Sequence, residues 1–171
     1  MLVGMRVGII ADTHGYVDPR IGAAFGRIDA IVCAGDVGGA HVLEALRALA
    51  PLYAVYGNND EKLGGLGLPL RLDFALDGVH FHLVHQIPHA QPAAGADVVV
   101  FGHSHRALIE RRGDLMYVNP GAAGRAGFHR LQTVALMRVA GGQVREARIV
   151  ELGQRLALGK TGAATKRRAQ Q

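Results

Sequence analysis

Residues 5–14 read Met5-Arg6-Val7-Gly8-Ile9-Ile10-Ala11-Asp12-Thr13-His14. An apolar, partly β-branched run stops abruptly at an acid and an imidazole separated by one residue. Continuous apolar runs of this kind read as strands buried on both faces. The pattern recurs along the chain. Ala30-Ile31-Val32-Cys33-Ala34-Gly35 ends in Asp36, and Leu52 to Tyr56 ends in Gly57, Asn58, Asn59 and Asp60. His80 to Val84 ends in His85, and Val98-Val99-Val100-Phe101 ends in Gly102, His103, Ser104 and His105. Met116-Tyr117-Val118 ends in Asn119-Pro120-Gly121.

Helical stretches separate the early runs. Asp18-Pro19 supplies a cap and first-turn pair for a helix through Arg27. His41 to Ala50 carries Val42, Leu43, Leu46, Leu49 and Ala50 before Pro51 stops it. Asp77-Gly78 and Gly141-Gly142 are hairpin turns, the second between two late antiparallel strands. The order βαβαβ followed by strands predicts an α/β protein with a mixed sheet or two sheets. In such sheets, ligands gather beyond the carboxyl ends of the strands. Successive strand ends carrying Asp, Asn and His therefore converge on one expected site.

Composition narrows the function classes. The chain has 171 residues, 49% hydrophobic and 19% charged, enough for one domain with a sizeable core. The one cysteine, Cys33, makes no internal disulfide and sits in an apolar run as a core residue. No apolar run reaches membrane-spanning length. The N-terminus reads as a first strand rather than a signal peptide, with Met5 an alternative start, so a cytoplasmic protein is expected. The net charge of +5 is mostly terminal: Lys160, Lys166, Arg167 and Arg168 lie beyond residue 159 without an acid. The expectation is a domain over 1–158 and a basic, disordered tail over 159–171. With the charge confined there, nucleic acid is not an expected partner. Homo-oligomerisation stays open.

The strand-end set is Asp12, His14, Asp36, Asn58, His85, His103 and His105. Carboxylate, imidazole and amide oxygen together suit Mn, Fe, Zn, Co or Ni. Seven ligands exceed one tetrahedral ion and suit two ions sharing a carboxylate. Two such ions can hold a hydroxide between them and clamp an in-line displacement at phosphorus. Taken singly, each motif has an ordinary reading. His103/His105 alone is a surface pair, and Gly35-Asp36 or Gly57-Asn58 alone is turn chemistry. Their recurrence at successive strand ends is what those readings leave unexplained.

The ordered series Asp12-x-His14, Gly35-Asp36, Gly57-Asn58-Asn59-Asp60, His85 and Gly102-His103-Ser104-His105 resembles the calcineurin-like metallophosphoesterase superfamily. The short length and Asn119-Pro120-Gly121 resemble its small phosphodiesterases of the YfcE/MJ0936 type. The resemblance spans about Met5 to Leu152. It implies a two-sheet αββα sandwich and a dinuclear centre, with manganese the favoured metal. Asp12, His14 and His105 would hold one ion, Asn58, His85 and His103 the other, and Asp36 would bridge them. The implied activity is hydrolysis of small nucleotide-like or aryl phosphodiesters. Alternatives are a phosphomonoesterase, a dinucleoside polyphosphate hydrolase, or a non-enzymatic scaffold on the same fold.

Three positions depart from the family pattern. Asn59 replaces a histidine that helps protonate the leaving group or bind phosphate; an amide donates a hydrogen bond but transfers no proton. Gln86 follows His85 where the family has Gly, and Ala122 follows Asn-Pro-Gly where it has Ser. Asp36 and Asn59 are the expected catalytic residues, with Asn59 and Arg125 expected to bind substrate. Tyr16, Val17 and His129 are pocket-wall candidates. His80 and His82 are expected to face away from His85 by strand alternation. His41 reads as a helix-start residue and His89 as a loop residue.

Overall fold

The computed structural model describes residues 4–155; the expected basic tail lies outside the described residues. Strands β1 (Met5–Ile10), β2 (Ala30–Cys33) and β3 (Leu52–Ala54) run parallel, joined through α1 (Ile21–Phe25) and α2 (Ala40–Arg47). The late hairpin, β9 (Leu131–Ala140) and β10 (Gln143–Gln154), adds antiparallel to β1, giving the sheet order β10-β9-β1-β2-β3. The second sheet has the order β4-β5-β6-β8-β7. Its members are β4 (Arg71–Leu76), β5 (Val79–Val84), β6 (Val98–Val100), β7 (Leu108–Arg112) and β8 (Leu115–Asn119). There β5, β6 and β8 are parallel, while the edge strands β4 and β7 are antiparallel. The expected α/β two-sheet sandwich is what the chain forms.

Two apolar layers explain why the early runs are unbroken. Val7, Ile9, Ala11 and Val32 face inward and meet Phe81, Leu83, Val98, Val100 and Val118 of the second sheet. The alternate residues Ile10, Ile31 and Cys33 face outward onto Ile21, Phe25, Val42, Leu43 and Leu46 of the helices. A strand covered on both sides cannot alternate with polar residues. Gly8 is part of this fit: a Cβ there would come within 2.9 Å of the Phe25 ring. Strand β5 is different. Val79, Phe81 and Leu83 point into the core, whereas His80 is exposed and His82 lies under the segment after the 3-10 turn Ile87–His89. His82 bonds Asp73 at 2.7 Å and accepts the Gln91 N–H at 3.1 Å. Both histidines do face away from the His85 side. Across the sheets Tyr53 stacks on Phe74 at 4.2 Å, and within the second sheet Phe74 stacks on Phe81 at 5.2 Å.

The first helix is shorter than its sequence signals suggest. It spans Ile21–Phe25 and ends at Gly26, whose φ is 59°. Asp18 does not cap it. Its carboxylate accepts Arg20 N and Nε at 2.9 Å and Gln132 Nε2 at 2.8 Å, a link from the early loop to β9. The second helix starts at Ala40, beside the expected His41, and stops at Arg47 rather than Ala50. Cys33 is fully buried, and that burial pushes its thiol up to about 12, which keeps it protonated.

Parallel strands deliver their carboxyl ends to one edge. That edge carries the residues after β1, β2 and β3 from one sheet and after β5, β6 and β8 from the other.

Candidate metal centre

All seven predicted ligands gather at this edge. Asp12 Oδ1 lies 3.4 Å from His105 Nε2 and 4.0 Å from His14 Nε2. The two imidazole nitrogens are themselves 3.3 Å apart. Asp36 Oδ2 stands 3.8 Å from His14 Nε2 and 3.4 Å from His85 Nε2. Asn58 Oδ1 is 3.1 Å from His85 Nε2. Two sets have ligand atoms close enough to share an ion: Asp12, His14 and His105, and Asp12, Asp36 and His85. His103 joins through its backbone N–H to Asp12 Oδ2 at 3.1 Å, and its ring lies edge-on to His85 at 5.3 Å. Its Nε2 faces the Gln86 amide at 3.3 Å.

The backbone is bent to achieve this. Asp12, His14, Asp36, His103 and His105 have φ between 47° and 69°, and they are five of the seven non-glycine residues with positive φ among the described residues. That conformation is costly for residues with a Cβ, and clusters of it mark functional sites. The neighbouring glycines are spacers. A Cβ on Gly35 would lie 2.8 Å from His85 Nδ1, and one on Gly102 would lie 2.9 Å from Asp12 Oδ2.

Surrounding bonds orient each ligand. His85 Nδ1 donates to Ala34 O at 2.7 Å, which leaves Nε2 bare in the neutral ring. Asn59 donates twice to Asp36, from its backbone N at 2.9 Å and its amide at 2.6 Å. Asp60 is fully buried and accepts the N–H groups of Val37, Gly38 and Gly57, so it clamps the loops that hold Asp36 and Asn58. Asn119 does similar work, donating to Gly102 O and Ser104 Oγ while accepting Gly121 N. Neither role was readable from sequence, although Asp60 stands in the same four-residue run as Asn58.

Electrostatics favour a cation here. Asp12 Oδ1 is buried and receives no hydrogen bond. His85 Nε2 faces two oxygens. Burial opposes ionisation of Asp36, yet the bonds from His85 and Asn59 hold its carboxyl well below the usual carboxylate range. Burial also opposes a charged His85, but Asp36 and Asp12 prevail and raise its pKa. The Asp12 carboxylate raises His105 likewise. Two buried acids and three imidazoles with converging nitrogens form a donor set that fits divalent ions.

The pocket-wall candidates separate. The Arg125 guanidinium lies over the Tyr16 ring at 3.9 Å, and Val17 packs with the helix-side core. His129 donates to Gly124 O at 3.0 Å and packs edge-on against His105 at 5.3 Å. His41 donates to Gly15 O at 2.8 Å, and His89 lies in the 3-10 turn.

A sandwich of two mixed sheets with this cluster at one edge defines the class to which the comparisons also lead. The model of the calcineurin-like phosphoesterase superfamily domain matches residues 5–142, and the chain belongs to that superfamily of metal-dependent phosphoesterases. A probable metallophosphoesterase of Methanothermobacter thermautotrophicus is 29% identical over 133 residues, covering 69% of this chain and 77% of the relative. Phosphodiesterase MJ0936 of Methanocaldococcus jannaschii is 27% identical over 139 residues, covering 68% and 83%. Among solved structures, Vps29 of Chaetomium thermophilum shares the fold with a TM-score of 0.68 at 18% identity, covering 88% of this chain and 97% of that one.

Proposed function

We propose that the chain is a phosphodiesterase that uses two divalent ions, manganese foremost, held by Asp12, His14, Asp36, Asn58, His85, His103 and His105. The observation that carries this reading is Asp36 Oδ2, set between His14 Nε2 at 3.8 Å and His85 Nε2 at 3.4 Å. One carboxylate oxygen flanked by imidazoles from the two ligand sets would suit a shared ligand, which supports the reading. Held by these residues, divalent ions would supply Lewis acidity and a water activated near neutral pH.

The protein's own residues do the rest. Asn59 fixes the orientation of Asp36 through two hydrogen bonds. One amide N–H of Asn59 is spent on Asp36, and the other is free to donate to a phosphoryl oxygen. No proton passes from Asn59, so leaving groups stable as anions are favoured. Arg125, held over Tyr16, is proposed to carry positive charge beside the phosphate. The substrate is a small phosphodiester, and the domain is proposed to span 1–158 ahead of a basic tail.

No helix among the described residues is long and apolar enough to cross a membrane. With Cys33 buried and unpaired, we place the protein in the cytoplasm. The fold likeness to Vps29 keeps a scaffold role as the rival reading, and the complete set of seven ligands favours hydrolysis.

The test is a panel of Mn, Ni, Co and Zn against bis-p-nitrophenyl phosphate and p-nitrophenyl phosphate. Faster cleavage of the diester is expected, and Asp36→Asn should lower turnover by more than the roughly 10–100-fold typical of changes around a metal site. Preference for the monoester would refute the phosphodiesterase reading. Near-wild-type turnover in Asp36→Asn would refute the bridge.

A further inference from the structure

Phe128 is fully exposed, at 106% of its reference area, whereas the next large apolar side chain among the described residues, Leu63, reaches 50%. A lone apolar side chain on a surface needs no explanation by itself. What matters is how firmly this one is placed. On its amino side, Gly127 passes so close to the metal centre that a Cβ would fall 2.5 Å from His105 Nδ1. Its φ of 102° favours glycine for a second reason. The Arg155 guanidinium donates to the Gly127 carbonyl. On the carboxyl side, His129 packs on the His105 ring and donates to Gly124 O. Both neighbours of Phe128 are pinned to the ligand cluster, and the ring itself is left in solvent.

Grooves run along both sides of the ring. One, of about 490 Å³, joins His103 and His105 to Arg106 and Phe128. The other, of about 510 Å³, passes Phe128 towards Arg130 and Arg155. Among the described residues no acid lines either groove. An open aromatic face flanked by guanidinium groups and continuous with a metal centre suits a planar base attached to an anionic chain.

The geometry points to a nucleobase subsite on Phe128, which makes the substrate a nucleoside phosphodiester whose base stacks on that ring. This rests on the phosphodiesterase reading and specifies its substrate class. Arg106 lines the groove that the histidines share with the ring, and its guanidinium would meet the sugar-phosphate portion.

The chain contains no Trp, so Phe128→Trp introduces a single indole reporter at the subsite. Titration of that variant with adenosine 5′-monophosphate should quench its emission saturably, and ribose 5-phosphate should not. In parallel, kcat/KM is compared for thymidine 5′-p-nitrophenyl phosphate and methyl p-nitrophenyl phosphate, which share a leaving group. The ratio should favour the nucleoside ester and fall about tenfold in Phe128→Ala. Hydrolysis of both esters with an unchanged ratio overturns the subsite and leaves the phosphodiesterase reading intact. Hydrolysis of neither ester, with saturable quenching by the nucleotide, sinks the phosphodiesterase reading and keeps the subsite. Absence of quenching overturns the subsite, as does emission that shifts with protein concentration alongside dimerisation in sedimentation.

Discussion

The two ends of the sandwich solve the same backbone problem with different residues. At the end away from the metal centre, Asp77-Gly78 and Gly141-Gly142 make two-residue turns, with φ between 44° and 79°. Three of these four residues are glycines, which accept left-handed backbone at little cost. The turns also touch: Gly142 N donates to Asp77 O at 2.8 Å, and Gly141 N donates to the Asp77 carboxylate at 3.2 Å. A hairpin from each sheet thus clasps that end. At the opposite end left-handed glycines such as Gly35, Gly38 and Gly121 are joined by Asp12, His14, Asp36, His103 and His105. One end is built for stability; the other accepts strain to aim side chains.

Substitutions can break this contrast. The largest effect is expected from Gly57→Ala, because its Cβ would press on the Asp36 carboxylate and lie 2.4 Å from Asp36 N. Ion affinity, measured by calorimetry, should fall more than about tenfold. The matched change Gly142→Ala places a Cβ 3.6 Å from Gly78 O, an ordinary contact, at φ 72°. It should cost about 1 kcal/mol in urea unfolding and leave ion affinity unaltered. Equal losses of ion affinity in both variants would erase the distinction between the ends.

A smaller effect is expected from His103→Gly. A left-handed non-glycine residue costs roughly 1–2 kcal/mol, partly offset by the extra chain entropy that glycine loses on folding. Without metal, the variant should be more stable by up to about 1 kcal/mol, while its ion affinity falls. A loss of stability in chelator would show that His103 is not strained.

The mildest contrast is in pH. Asp18, four residues after His14 but bonded to Arg20 and Gln132, is buried; burial opposes its ionisation, but those two partners lower its pKa. A depressed carboxyl contributes stability above its unfolded value of about 3.9 and loses it as pH falls through the folded value. Acid unfolding curves should therefore show a steeper loss below about pH 3.9 in the wild type than in Asp18→Asn. Superimposable slopes would remove Asp18 from the account.

What was legible in the sequence follows from these forces. Strands covered on both faces, such as Val7–Ile10 and Ala30–Cys33, announce themselves as unbroken apolar runs, and the polar residues that end them mark the site. Contacts between distant segments were hidden. Asp18 looked like a helix cap because its bond to Gln132, 114 residues away, has no local signature. Asp60 had no role of its own in the sequence because its partners Val37 and Gly38 are brought to it only by the parallel pairing of β2 with β3. The edge strand Leu108–Arg112 is rich in charge, with Glu110, Arg111 and Arg112 exposed, and offers no apolar run to read. The 3-10 segment Glu61–Gly67 depends on left-handed Gly64, Gly65 and Leu66, a choice made by packing rather than propensity. Gly65, for instance, lies against the Tyr56 ring.

Each ligand set borrows from both layers: Asp12 and His14 with His105, and Asp12 and Asp36 with His85. The first sheet supplies the acids, and the second supplies an imidazole to each. If these sets hold ions as proposed, ion occupancy and the seating of one sheet on the other are one equilibrium read from two directions. An ion that binds only the seated form acts as a rivet through the layers, raising the melting temperature as its concentration exceeds its dissociation constant. By the same linkage, the candidate metal centre would be a gauge of the gap between the sheets, sensitive to slippage deep in a core it never touches.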